Sequence, residues 1–146
     1  KADALVEAGV ADAVVDDLDA AVASADIIST ATMARDPLIK GALLQPGTHV
    51  DCVGAFLPDH REVDDHVVTR AEIFVDSREA AVRESGDLVI PTSAGTISSD
   101  AVRADLFQLC QGRHRGRSGP EPITMFENGG GGHLDLMTAQ HLWSAR

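Results

Sequence analysis

VDCVGAFLPDHREVDD, residues 50–65, begins as a short apolar run of Val50, Cys52 and Val53 and stops at Gly54-Ala55. Pro58 turns the chain, and a charged stretch follows with His60, Arg61, Glu62, Asp64 and Asp65. A buried strand ending in small residues is how open α/β sheets make room for a ligand, at the carboxyl ends of their strands. The same punctuation recurs in both directions along the chain. Asp26–Ala31 (DIISTA) is a β-branched strand running into Thr30-Ala31-Thr32. Ala71–Val75 (AEIFV) ends at Asp76-Ser77, and Ile123–Phe126 ends at Asn128-Gly129. None of these runs keeps a strict two-residue period, as expected for strands of a parallel sheet covered on both faces.

The intervening segments supply the helices. Lys1–Val10 reads as the last turns of a helix closed by Gly9, and Asp16–Ala25 as a helix with acidic residues at its positive end. Pro37 opens a short helical piece over Leu38–Leu44, and Arg78–Glu84 is a helix stopped by Ser85-Gly86-Asp87. Ser98 or Ser99 can cap a helix running to Cys110, and a last helix spans about Leu134–Trp143. Asp12–Val15 fits a short strand, and Leu88–Thr96, with Pro91 and Gly95, reads as irregular. The fold class is α/β with one domain over residues 1–146, long enough to bury a real core.

Hydrophobic residues make up 44% of the 146, which suits a globular fold, and 23 acidic against 12 basic residues give a formal charge of −11. That balance speaks against nucleic acid as a partner, because phosphate binding needs clustered cations. The one basic cluster, Arg113–Arg117, lies among Gly, Ser and Pro and reads as a solvated loop. No apolar run is long enough to span a bilayer. Lys1 opens an amphipathic segment rather than a secretory leader, so a cytoplasmic protein is expected. Cys52 and Cys110 sit in apolar surroundings on a strand and a helix and read as buried free thiols.

The chemistry-bearing candidates each have a plainer alternative. Gly129–Gly132 lies between a strand and a helix, where backbone N–H groups can face an anion, but its spacing matches neither standard phosphate loop. A flexible connection is the other reading. Thr30 and Thr32 can donate to a ribose or phosphate, or cap the turn that follows. His60 can exchange a proton near neutrality, yet it lies in a hydrophilic run where an exposed histidine needs no function. Asp64 and Asp65 are a solvated face or a helix start, no four-ligand metal spacing is present, and no G-x-S-x-G elbow exists.

In order along the chain, ADIISTAT (25–32), LQPGTHVDCVGAFLPDHREVDD (44–65), AEIFVDSREAAVRESGDL (71–88), Gly116-Arg117 and ITMFENGGGGHLDL (123–136) resemble the ornithine cyclodeaminase/mu-crystallin family. The resemblance implies the later half of a Rossmann-type doubly wound parallel sheet with a C-terminal closing segment and helix. It also implies that the family's glycine-rich dinucleotide turn, its NAD- or NADP-selecting residue and its substrate-binding region precede Lys1. The chain is then a partial dinucleotide-binding domain that by itself need not be active. Carried over by position, Thr30 and Thr32 stand at the dinucleotide, and Val53, Gly54, Ala55 and Phe56 along the nicotinamide. Asn128 closes over the cofactor and Gly129 over the substrate, and His60 stands where cyclodeaminases place a cofactor-contacting lysine. Cyclodeaminases carry their catalytic aspartate at the position of Phe56, so the sequence resembles the ketimine reductase branch instead. The activity implied is NADPH- or NADH-dependent reduction of a cyclic imino acid such as pyrroline-2-carboxylate, in a homodimeric parent. A cyclodeaminase, an amino acid dehydrogenase of the family, and a mu-crystallin-like binder of nucleotide and small ligand without turnover are the alternatives.

Overall fold

The computed structural model describes residues 1–53 and 57–145. Within these residues five strands form one sheet: β1 (Ile27–Thr30), β2 (His49–Cys52), β3 (Glu72–Val75), β4 (Val102–Asp105) and β5 (Thr124–Glu127). All pairs are parallel, in the order β1-β2-β5-β3-β4, so the last strand in sequence fills the centre. Parallel pairing sends every carboxyl end to one rim. Among the described residues seven helices connect or flank the strands: α1 (Ala2–Glu7), α2 (Leu18–Ser24), α3 (Asp65–Arg70), α4 (Arg78–Glu84), α5 (Gly86–Ser93), α6 (Leu106–Cys110) and α7 (Gly132–Ser144). The core is the sheet face carrying Val50, Met125 and Ile73, against Val22 of α2, Val67 and Val68 of α3, Ala81 of α4 and Leu88 of α5. Ile27 and Ser29 of β1 lie exposed on the opposite face.

Local chemistry explains several helix starts. Asp17 and Asp64 each accept a first-turn N–H, from Ala20 (3.0 Å) and Val67 (3.0 Å), and so begin α2 and α3. The Asp64 and Asp65 pair is therefore a helix start. Gly9 has φ +68, the left-handed conformation expected after a helix.

Several expectations are corrected. Asp12–Val15 forms no strand; Val14 and Val15 are exposed, and a strand needs a neighbour to take its hydrogen bonds. The single helix expected from Ser98 or Ser99 to Cys110 is instead a 3-10 turn (Ser99–Ala101), then β4, then α6. Val102 and Ala104 face the core while Arg103 faces out, and Asp105 with Gln108 forms a reciprocal capping box that starts α6. Of Leu88–Thr96, expected to be irregular, Leu88–Ser93 belongs to α5, with Pro91 inside it, and only residues 94–96 lie beyond the helix. Leu38–Leu44 contributes only a 3-10 turn over Gly41–Leu43. Cys52 is buried as expected, but Cys110 ends a five-residue helix without buried positions and is exposed. Arg113, Arg115 and Arg117 are exposed, as expected of a solvated loop, but Arg117 is also anchored. Its guanidinium donates to the carbonyls of Gly47 (2.7 Å) and Thr48 (3.4 Å) and to Thr124 Oγ1 (2.9 Å), pinning the starts of β2 and β5.

Candidate functional site

The register places Thr30, Cys52, Glu127 and Val75 side by side as the last row of the four adjoining strands, on the buried face. One residue further on, the chain reaches the rim. Val53 is partly exposed and donates its N–H to the Thr30 carbonyl (2.9 Å), and Asn128 donates its N–H to the Cys52 carbonyl (2.9 Å). The neighbouring strands therefore hold these two rim residues by ladder-like bonds. Thr32, two residues beyond β1, is half-buried and accepts the Ala34 N–H at its hydroxyl (3.2 Å). Gly54, Ala55 and Phe56 lie outside the described residues.

Thr30 behaves differently from Thr32. It is buried, and its hydroxyl donates to Glu62 Oε2 at 2.6 Å, so that group is committed to the interior. The glycine run is also already engaged by an anion of the chain itself. Asp76, fully buried at the end of β3, accepts N–H bonds from Ser77 (2.6 Å), Gly129 (2.9 Å) and Gly131 (3.4 Å). The turn is thus a docked connection. A Cβ on Gly129 would stand 2.8 Å from the Ala81 amide nitrogen, which is why the β5–α7 turn passes α4 only as glycine.

The His60 expectation is corrected in one respect: the ring is buried, not exposed. Its Nδ1 lies 2.9 Å from Asp59 Oδ1, and this bond is the first cause holding the Asp59 carboxyl below its usual range. His60, Arg61 and Glu62 are all buried because their segment runs beneath the start of α5. A Cβ on Gly86 would fall within 1.9 Å of the His60 carbonyl oxygen.

What sequence reasoning missed is the acidic interior behind the rim. Glu62, Asp87 and Glu127 are each fully buried. Asp87 Oδ1 accepts the N–H groups of Glu62 (2.8 Å) and Val63 (2.9 Å), while Glu127 Oε1 accepts the Ser85 hydroxyl (2.6 Å). Asp87 Oδ2 and Glu127 Oε2 are buried and meet no hydrogen-bond partner among the described residues. Burial, above all, raises the Asp87 carboxyl from 3.8 to about 6. Burial and then the Asp87 charge push the Glu127 carboxyl well above its usual value. Burial together with the Glu127 and Asp87 charges raises the Cys52 thiol, which stays protonated and unreactive. Among the described residues no cluster of three or more His, Cys, Asp or Glu is arranged to hold a metal. No described helix is long and apolar enough to cross a membrane. A cleft of about 580 Å³ beside α4, lined by Arg78, Arg83, Asp100 and Asp105 among others, does not include Thr32, Val53 or Asn128.

The family model described as the ornithine cyclodeaminase/mu-crystallin family matches residues 2–144. The chain belongs to this family. Within it, the chain is 51% identical over 130 residues to a Delta(1)-pyrroline-2-carboxylate reductase of Paracoccus denitrificans, covering 89% of this chain and 41% of the relative. Among solved structures, the Thermococcus litoralis Delta(1)-pyrroline-2-carboxylate reductase in complex with NADH and L-proline superposes with a TM-score of 0.83 at 36% identity. That match covers 86% of this chain and 39% of the other. An archaeal alanine dehydrogenase dimer with bound NAD superposes with a TM-score of 0.85 at 29% identity, covering 94% and 42%. The chain therefore spans about two fifths of the length of these members of the cyclodeaminase/mu-crystallin family. The sheet is a Rossmann-type parallel sheet of the kind these dehydrogenases carry.

Proposed function

We propose that the protein is an NADPH- or NADH-dependent reductase of a cyclic imino acid such as pyrroline-2-carboxylate, with this chain forming its nicotinamide-side wall. The observation that carries the reading is the 51% identity to a pyrroline-2-carboxylate reductase over nearly all of this chain. The rim fits such a cofactor by its chemistry. Thr32 keeps a hydroxyl hydrogen to donate, the Asn128 side-chain nitrogen donates to none of the described residues, and Val53 offers an apolar surface between them. A polar–apolar–polar edge of this kind suits a nicotinamide and its ribose.

The cofactor supplies a hydride to the C=N carbon, and a proton completes the amine at nitrogen. The chain's part is orientation. Thr32, Val53 and Asn128, with Gly54, Ala55 and Phe56, are assigned to the cofactor, and Gly129 to the substrate side. Thr30 supports that edge from within rather than touching the ligand through its hydroxyl. His60 is assigned to proton transfer, its ring oriented by Asp59. A homodimeric parent and a cytoplasmic location complete the reading.

Titrating the full-length protein into NADPH and NADH by fluorescence, beside an assay of pyrroline-2-carboxylate reduction, tests it. Tight binding with turnover is the expected result; binding without nicotinamide oxidation would replace the reductase with a ligand-binding protein. In the same assay His60→Ala should lower turnover and change the pH profile near neutrality. Unchanged kinetics would remove His60 from the mechanism.

A further inference from the structure

Glu62 connects the rim to the interior through both its backbone and its side chain. Its carboxylate accepts from the Thr30 hydroxyl at Oε2 (2.6 Å) and from the Thr32 N–H at Oε1 (2.5 Å). Its carbonyl accepts the N–H groups of Leu38 and Ile39, both at 2.9 Å, and its own N–H is held by Asp87 (2.8 Å). Next to it, the Arg61 N–H donates to the Ala34 carbonyl (3.1 Å). The irregular connection from Thr30 to Ile39 thus hangs on residues 61 and 62 at both of its ends and in its middle. The two carboxylate bonds straddle Ala31, so they fix both the direction in which the chain leaves β1 and the placement of Thr32. A buried carboxylate is retained at such a position only if its oxygens are satisfied, and each of these two oxygens takes a hydrogen bond from the rim segment.

We propose that Glu62 is a positioning residue for the cofactor: its carboxylate clamps Thr30 and Thr32 so that the Thr32 edge meets the dinucleotide preformed. The proposal rests on the assignment of Thr32 to the cofactor. Glu62 need not touch the cofactor itself. An edge held in one conformation loses less freedom on binding than a loose one, so the clamp acts on cofactor affinity first and on the imine hardly at all.

The test compares Glu62→Leu and Glu62→Gln in the full-length protein. Leucine is similar in size and apolar, and removes both acceptors. Glutamine keeps an acceptor for the Thr32 N–H and offers an amide donor to the Thr30 oxygen, so it preserves both links. Glu62→Leu should raise KM and Kd for NADPH about tenfold while KM for the imine changes less than twofold. Glu62→Gln should restore cofactor affinity to within threefold of the original protein. In the cofactor-free protein, amide exchange over residues 30–34 should be faster in Glu62→Leu and near normal in Glu62→Gln. Cofactor affinity unchanged in Glu62→Leu, or equal loss in both variants, would overturn the proposal. Should Glu62→Leu fail to fold, Thr30→Val removes one of the two links at constant volume and should weaken NADPH binding about threefold; no change refutes the clamp. An original protein that binds no nicotinamide cofactor defeats the functional reading as well, whereas normal binding insensitive to Glu62 defeats the clamp alone.

Discussion

Replacing Asp87 by Asn should stabilise the protein at neutral pH. Asp87 Oδ1 takes both backbone bonds, from Glu62 and Val63, and Asn Oδ1 can take the same two. The other oxygen is buried and meets no partner among the described residues, and the amide nitrogen that replaces it can donate toward the acidic interior. The magnitude follows from linkage. With the carboxyl raised from 3.8 to about 6, the folded state binds its proton more tightly than the unfolded chain does. Its favourable contribution is therefore complete below pH 3.8 and is lost as the pH rises through about 6. At about 1.4 kcal/mol per pH unit, the ionised Asp87 costs roughly 3 kcal/mol at pH 7 and about 0.5 kcal/mol at pH 4. The upper figure is shared with Glu127, whose proton is coupled to the same site, so a gain of about 2–3 kcal/mol is expected at pH 7. Urea unfolding of the full-length protein and its Asp87→Asn variant at pH 7 and pH 4 measures both numbers. A variant less stable than the original at pH 7, or a difference that does not shrink toward pH 4, would refute the reasoning.

Two further outcomes follow from the same geometry. Iodoacetamide with peptide mass spectrometry should alkylate the exposed Cys110 at least about 100-fold faster than Cys52, whose thiol is buried and raised; Cys52 should react only under unfolding conditions, and equal rates would contradict the burial. Gly86→Ala would push a methyl group into the His60 carbonyl, 1.9 Å away, and the Leu57 carbonyl, 2.9 Å away, both backbone atoms. A loss of about 2–4 kcal/mol in unfolding free energy, read by denaturant titration, is expected, and a change within about 0.5 kcal/mol would show that the 57–62 segment moves aside freely.

Four of the five strands are legible in the sequence because each is an apolar run that ends at small or polar residues, and parallel pairing then follows from the helices between them. β4 is not, because Val102-Arg103-Ala104-Asp105 offers only two small apolar side chains and follows a serine pair that could cap a helix. Only pairing with β3 makes it a strand, and no local pattern encodes that partner. The Asp105–Gln108 capping box was the readable signal that a helix begins after Asp105 rather than at Ser99. The rim residues Thr32, Val53 and Asn128 were legible as strand ends. Glu62 was not, since in a run of His, Arg, Glu and Asp every charge looks solvated. It is buried by residues 25 positions away at the start of α5, through Asp87. Glu127 was hidden differently: it lies one residue past Ile123–Phe126, the strand read from the sequence, while the register extends β5 to it and turns it inward beside Cys52.

Besides Asp76, which holds the glycine turn, three buried acids divide the labour between stability and the site. Asp87 and Glu127 each leave a carboxylate oxygen unpartnered among the described residues and have raised affinities for protons, so they weaken the fold at neutral pH. Glu62 spends both oxygens on the rim. A buried acid with a cost and no ligand-side contact is expected where it holds something that does make such a contact, and Asp87 holds the Glu62 amide. Asp87→Asn, which preserves that bond, should therefore gain stability without changing cofactor KM. Glu62→Leu should do the reverse, losing cofactor affinity whatever happens to stability. If Asp87→Asn instead weakened cofactor binding as much as Glu62→Leu, the charge of the cluster rather than the hydrogen bonds of Glu62 would be organising the rim, and the chain of support from α5 to Thr32 would have to be abandoned.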